Sequence, residues 1–243
     1  MRLEHQIAIV TGAGSGIGRA VAHRLADEGC RVVAVGRRED RLRETVANYS
    51  GSGSIVPQPA DVGERQQVAQ LVANVRERFG PVDVLVNNAG VNIRDRRLER
   101  LTPENWDHLI RVNLTGAFLM IHAVLPEMRA RGRGLIINVS SIAGLRPSVL
   151  GGAAYSAGKS GLNALSTVLS LEEGKNGVKS TLICPGEVET PILDDRPEPV
   201  SAERRATMLQ PHDIADAVAF IANLPPRAHI PWLVITPTVQ PFA

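Results

Sequence analysis

The stretch Ile7-Ala8-Ile9-Val10-Thr11-Gly12-Ala13-Gly14-Ser15-Gly16-Ile17-Gly18-Arg19-Ala20-Val21 decides the fold. Its first five residues, apolar and β-branched, read as a buried strand. A glycine-rich turn follows, and then a helix begins. Glycine allows a tight turn and close approach of the backbone, while a helix N-terminus offers free N–H groups and partial positive charge to an anion. Between the first strand and first helix of a βαβ unit, such a turn is the expected seat of a dinucleotide pyrophosphate. Gly12, Ser15, Gly16, Ile17 and Gly18 are therefore candidate cofactor contacts.

The same alternation continues along the chain. Apolar runs at 31–36, 54–58, 82–87, 134–140, 178–184 and 230–236 join 7–11 as predicted strands. Helical patterns fall between them, at about 16–29, 39–49, 63–79, 103–131, 153–176 and 211–224. Strand–helix alternation predicts an α/β fold: a doubly wound parallel sheet of seven strands, Rossmann type, with helices on both faces. The 243 residues suit one domain, 1–243, with no linker or internal repeat. Prolines at 185, 191, 197 and 199 mark a long loop, and 187–207 is the expected substrate loop.

Composition narrows the function. A hydrophobic share of 44% excludes wholesale disorder. With 27 basic against 25 acidic residues, the chain lacks the basic excess of a nucleic-acid binder. Cys30 and Cys184 cannot by themselves make a disulfide framework or a zinc site, and the six histidines show no metal-ligand spacing, so no metal is expected. No signal-peptide core opens the chain, and no uninterrupted apolar run reaches roughly 18 residues. A reduced, cytoplasmic protein without a membrane span is the expectation.

At the end of the second predicted strand, Val35-Gly36-Arg37-Arg38 carries no carboxylate before Glu39. A site for NAD usually places Asp or Glu there to bind the ribose 2′-hydroxyl. Arginine instead pairs with a 2′-phosphate through its planar fork of donors. NADP is favoured over NAD, with Arg37 the first candidate and Arg38 the second.

Tyr155 and Lys159 lie four apart in Ala154-Tyr155-Ser156-Ala157-Gly158-Lys159, on one face of a predicted helix. Only three of the 27 basic residues are lysines, which makes this one informative. An ammonium near a phenol stabilises the phenolate and brings tyrosine toward acid–base work at neutral pH. Ser141 ends the fifth predicted strand, at the sheet edge where such folds bind ligands. Its hydroxyl can meet a substrate oxygen; alone, it reads as a capping serine.

Together these motifs resemble the short-chain dehydrogenase/reductase family in its single-domain branch. The matching residues run in order from Thr11 to Thr190: Thr11-Gly12-x-x-x-Gly16-Ile17-Gly18, Asp61-Val62, Asn87-Asn88-Ala89-Gly90, Asn113, Ser141, Tyr155-x-x-x-Lys159 and Pro185-Gly186. The resemblance implies that Tyr155 exchanges a proton with the carbonyl or alcohol oxygen and that Ser141 polarises that oxygen. It implies that Lys159 binds the nicotinamide ribose and lowers the Tyr155 pKa, and that Asn113 supports a water in a proton relay. Asp61 and Val62 would then contact the adenine region, Asn88 the ribose side, and Pro185, Gly186, Val188 and Thr190 the nicotinamide.

Two features depart from the family pattern. The span from Ser141 to Tyr155 is slightly long, and Leu224–Thr238 replaces the usual glycine-rich ending. That ending is similar to the serine and 3-hydroxy acid dehydrogenases. That likeness implies NADP and a small hydroxy acid or related alcohol as substrate. An NADP-dependent oxidoreductase interconverting a carbonyl and a secondary alcohol is the expectation, with an NAD-dependent relative and a cofactor-sensing protein without turnover as the alternatives. Apolar residues on several faces of 103–131 and 153–176, with the resemblance, point to a homotetramer or dimer. Arg94, Arg96, Arg97 and Arg100 read as a solvated surface, with attraction of an acidic substrate or carrier protein as the alternative.

Overall fold

A computed structural model describes residues 3–240. The strands are β1 (Ile7–Thr11), β2 (Arg31–Gly36), β3 (Ser54–Pro59), β4 (Val84–Asn87), β5 (Gly134–Val139), β6 (Val178–Pro185) and β7 (Trp232–Ile235). They form one parallel sheet in the order β3-β2-β1-β4-β5-β6-β7. The predicted doubly wound sheet is thus the observed one. The order reverses between β1 and β4, and a crevice opens there beyond the carboxyl ends of the strands.

Period-two pleating divides the strand residues between two cores. Ala8, Val10, Val32, Ala34, Val84 and Val86 point to one face, where α1 (Gly16–Asp27) and α9 (Pro211–Ala222) contribute Val21, Leu25, Ile214 and Val218. Ile7, Ile9, Val33, Val35 and Leu85 point to the other, under α3 (Arg65–Phe79), α5 (Gly116–Ala130) and α7 (Ala153–Glu173). There Val68, Leu71, Met120 and Leu169 close the packing. Each such side chain stabilises the fold by about 1.5–3 kcal/mol relative to exposure. Burial on both faces explains why the strands read as unbroken apolar runs.

The remaining helices are α2 (Glu39–Ala47), α4 (Pro103–Ile110), α6 (Ile142–Leu145) and α8 (Ala202–Ala206). Thr102 caps α4 as its sequence suggests, accepting a hydrogen bond from the Asn105 N–H at 3.2 Å, with Pro103 in the first turn. The helix predicted at 103–131 is interrupted by a π turn, Arg111–Thr115, that joins α4 to α5. By length and composition Pro103–Ala130 would suffice for a membrane span, but half of its most apolar stretch is buried, as in a core helix.

Candidate active site

The switch point holds a cleft of about 800 Å³, within the range of small-molecule sites. Gly12, Ser15, Gly16 and Ile17 of the β1–α1 turn line it, with Arg37, Arg38, Asp61, Val62 and Asn88. Ser141, Tyr155, Lys159, Pro185, Gly186, Val188 and Thr190 complete the set that the sequence singled out. Two predicted residues, Gly18 and Asn113, stand behind the lining.

The glycine turn is built for close approach. Gly12 has φ +67°, and a Cβ there would meet the Ala89 Cα at 2.9 Å. A Cβ on Gly18 would come within 2.3 Å of the Gly12 carbonyl oxygen. Asn88 supports the turn by donating from Nδ2 to the Thr11 carbonyl at 2.9 Å. This backbone cradle at the N-terminus of α1 fits a pyrophosphate. At the end of β2, Arg37 and Arg38 are exposed, with no carboxylate within 4 Å among the described residues. Glu39 is held by Arg43 at 2.6 Å, and neighbouring Arg41 pairs with Glu44 at 3.0 Å. Asp61 does not point freely into the cleft: it accepts from the Gly63 N–H at 2.8 Å and pairs with Arg111 at 3.5 Å.

Beyond β5, Ser141 accepts a hydrogen bond from the Ala143 N–H at 3.1 Å. It is a helix cap, as it reads in isolation, and it also lines the cleft. Tyr155 and Lys159 share one face of α7, the Lys159 Nζ lying 5.8 Å from the centre of the Tyr155 ring. Burial pushes the phenol above its usual value; hydrogen bonding to Ser141 and the charge of Arg96 oppose that rise. Lys159 donates from Nζ to the Val139 carbonyl at 2.9 Å, and burial lowers its pKa from 10.5 to about 8.

Asn113 sits in the π turn, a local form common at functional sites. Its Nδ2 donates to the carbonyls of Val91 and Leu109, both at 2.9 Å, and its Oδ1 accepts from the Val91 N–H at 3.1 Å. A Cβ on Gly90 would lie 3.1 Å from Asn113 Oδ1 and 3.4 Å from Lys159 Nζ, so glycine keeps the space between those groups clear.

The predicted substrate loop is tied down by ions. Arg196 and Arg204 reach Glu187 at 2.7 and 2.8 Å, and Arg205 reaches Glu189 at 3.2 Å and Asp194 at 3.1 Å. Short helical pieces, Pro191–Asp195 and α8, fill it. Arg96 departs from the solvated surface that the sequence favours for its cluster. Its neighbours Arg94, Arg97 and Arg100 are exposed as expected, but Arg96 is only 5% exposed and lines the cleft. It lies in an irregular loop of an arginine-rich chain, where no periodicity marks an inward-facing residue. Cys184 is a buried free thiol that burial pushes up to about 11, in line with an inert core cysteine.

The model of the short-chain dehydrogenase family matches residues 6–200. An uncharacterised oxidoreductase of Staphylococcus saprophyticus is 35% identical over 98% of this chain and 99% of its own. A metagenomic short-chain oxidoreductase solved with NADP has a TM-score of 0.83 and 36% identity, covering 99% of this chain and 100% of that one. Serine dehydrogenase complexed with NADP+ gives 0.89 and 30%, covering 98% and 97%. A 3-ketoacyl-(acyl-carrier-protein) reductase from Brucella melitensis, complexed with NADH, gives 0.87 and 29%, covering 97% and 98%. With the fold, the glycine turn and the Ser–Tyr–Lys site in place, the chain belongs to the short-chain dehydrogenase/reductase family of oxidoreductases. Its fold is one that holds a nicotinamide cofactor.

Proposed function

We propose that the protein is an NADP-dependent oxidoreductase that interconverts a carbonyl and a secondary alcohol, with Tyr155 as general acid and base. One observation carries this reading: Ser141, Tyr155 and Lys159 line the same cleft as the glycine turn and the acid-free pair Arg37–Arg38. The NADP-bound relatives support it.

When bound, NADPH supplies a hydride for the carbonyl carbon. As the C=O π pair moves onto oxygen, Tyr155 Oη gives that oxygen a proton, leaving an alcohol and a tyrosinate. The Ser141 hydroxyl donates a hydrogen bond to the same oxygen and stabilises its developing charge. Lys159 holds the ribose hydroxyls, and its titration near pH 8 suits it to passing a proton back toward Tyr155. Asn113, locked by Val91 and Leu109, supports a water on that route. The reverse reaction uses the tyrosinate as base. Arg37 and Arg38 clasp the 2′-phosphate, and the glycine turn seats the pyrophosphate.

The exposed apolar side chains Phe118, Val168 and Leu171 on α5 and α7 support homo-oligomer formation, as a dimer or tetramer. Two unpaired thiols are at home in the reducing cytoplasm.

Calorimetric titration with NADPH and with NADH tests the cofactor assignment. The expected result is at least a tenfold preference for NADPH, about 1.4 kcal/mol, lost in Arg37→Asp. Equal or reversed affinity in the wild type would refute the phosphate clamp and favour an NAD-dependent enzyme. Tight binding without turnover across a broad carbonyl panel would point instead to a cofactor sensor.

A further inference from the structure

Arg96 is the only arginine buried among the described residues, and it lies on the cleft wall. Its guanidinium is held by three neutral oxygens from three separate segments. Nε donates to the Ile93 carbonyl at 2.6 Å, Nη1 to the Leu150 carbonyl at 3.0 Å, and Nη2 to the Asp195 carbonyl. These bonds use three of the five guanidinium protons and leave one on each terminal nitrogen.

No carboxylate lies within 4 Å of Arg96 among the described residues. Of the nearby acids, Glu187 pairs with Arg196 and Arg204 and Asp194 with Arg205, while the Asp195 carboxylate stays beyond ion-pair distance. Asp195 and the Tyr155 phenolate attract the guanidinium at longer range, and Arg196 repels it. Buried charges are ordinarily paired, because an unpaired one forfeits its hydration. Here a guanidinium is fixed in place, keeps donors to spare and has no carboxylate at ion-pair distance among the described residues. It stands close enough to Tyr155 for its charge to act on the phenol. That arrangement suits a cleft whose missing anion arrives with the substrate.

We propose that Arg96 determines specificity by binding the carboxylate of a short oxo acid, or of the matching hydroxy acid, whose reacting carbon lies at Tyr155. The assignment rests on the oxidoreductase reading above and names the substrate class for that site. On this view the three carbonyls orient the fork in advance, and the ion pair forms only on substrate binding.

The test compares pyruvate, acetoacetate and levulinate with their methyl esters, in wild type, Arg96→Met and Arg96→Lys. In the wild type at least one acid should exceed its ester in kcat/KM by about tenfold or more. Arg96→Met should lower that acid's kcat/KM by roughly thirtyfold or more and the acid-to-ester ratio by about tenfold or more, the ester showing only the loss that follows from removing a charge near Tyr155. Butyrate, an unreactive carboxylate, should bind NADPH-loaded wild type by calorimetry and fail to bind Arg96→Met. If Arg96→Met does not fold, the acid-to-ester ratio of Arg96→Lys decides: a fall of about fivefold or more supports the assignment, and an unchanged ratio overturns it. Preference for the ester in every pair also overturns it. So does an equal loss on acid and ester with butyrate binding intact, which would make Arg96 only a tie between loops. Arg96-dependent butyrate binding with no turnover of any carbonyl, with either cofactor, would support the carboxylate site and refute the oxidoreductase reading.

Discussion

Replacing Lys159 by methionine should stabilise the cofactor-free protein while disabling it. The side chain is 3% exposed, and among the described residues its hydrogen-bond acceptor is the Val139 carbonyl at 2.9 Å. Burial lowers its pKa from 10.5 to about 8. Each pKa unit is worth about 1.36 kcal/mol, which sets the folded-state cost of the ammonium on the order of 3 kcal/mol. Methionine removes that cost, fills similar volume and forfeits a hydrogen bond worth about 1–2 kcal/mol. The net gain is about 1–2 kcal/mol, or a rise in Tm of about 2–8 °C for a chain of this size. The pH dependence identifies the cause. A lysine with a depressed folded pKa binds fewer protons folded than unfolded between about 8 and 10.5, so wild-type stability rises with pH across that window. The advantage of the variant should therefore be full below pH 8 and shrink toward pH 10.5. Denaturant melts at fixed protein concentration, in parallel for both proteins, measure this difference while cancelling the other titrations. A variant less stable than wild type at pH 7, or a difference that stays flat from pH 7 to 10, would refute the reasoning.

Tyr155→Phe should lower turnover by about a hundred- to ten-thousandfold, the usual worth of a positioned general acid, and leave calorimetric NADPH affinity within about threefold. Turnover near the wild-type rate would remove Tyr155 from the chemistry. Gly18→Ala should weaken NADPH binding by about tenfold or more and destabilise the fold by about 1–3 kcal/mol, because its Cβ would sit 2.3 Å from the Gly12 oxygen. Gly132→Ala is the control: φ there is +63°, nothing lies within 4 Å of the added Cβ, and only local strain of about 1–2 kcal/mol should follow, with cofactor affinity unchanged.

The sheet was legible because both of its faces are covered. Seven Val- and Ile-rich runs could be read as strands without knowing their order, and most boundaries agree within two residues. The largest differences at a strand start are at β4 and β7, and that at β4 has a clear cause. Val82 and Asp83 lie outside the strand, where Asp83 accepts from the Ile7 N–H at 3.1 Å and pairs with Arg131 at 2.7 Å. The π turn around Asn113 left no trace in the pattern, since it shifts helical register without changing composition. Many of the cleft residues could be named, some because they occupy the glycine turn, strand ends or one helix face, and others because the family resemblance implied them. Arg96 could not, because its role depends on three loop carbonyls that meet only in three dimensions. Four arginines close together in an arginine-rich loop are ordinarily solvent-facing, and three of these are.

The cleft holds two buried cations of different kinds, and the difference follows from what each can release. Lys159 can lose its proton, and burial brings that event to about pH 8, within reach of a proton relay. Arg96 cannot lose its proton under any ordinary condition. Its burial cost is therefore permanent in the free protein, with only neutral carbonyls and longer-range attraction to offset it. Exchanging the two residue types would fail for the same reason. A guanidinium at position 159 would carry a charge it could not relay. A lysine at position 96 could shed its charge on burial and would lose the fork suited to a carboxylate. On the proposed function, then, the free enzyme carries two electrostatic costs, one removable by titration and one only by an arriving anion. Each lies where substrate turnover makes use of it.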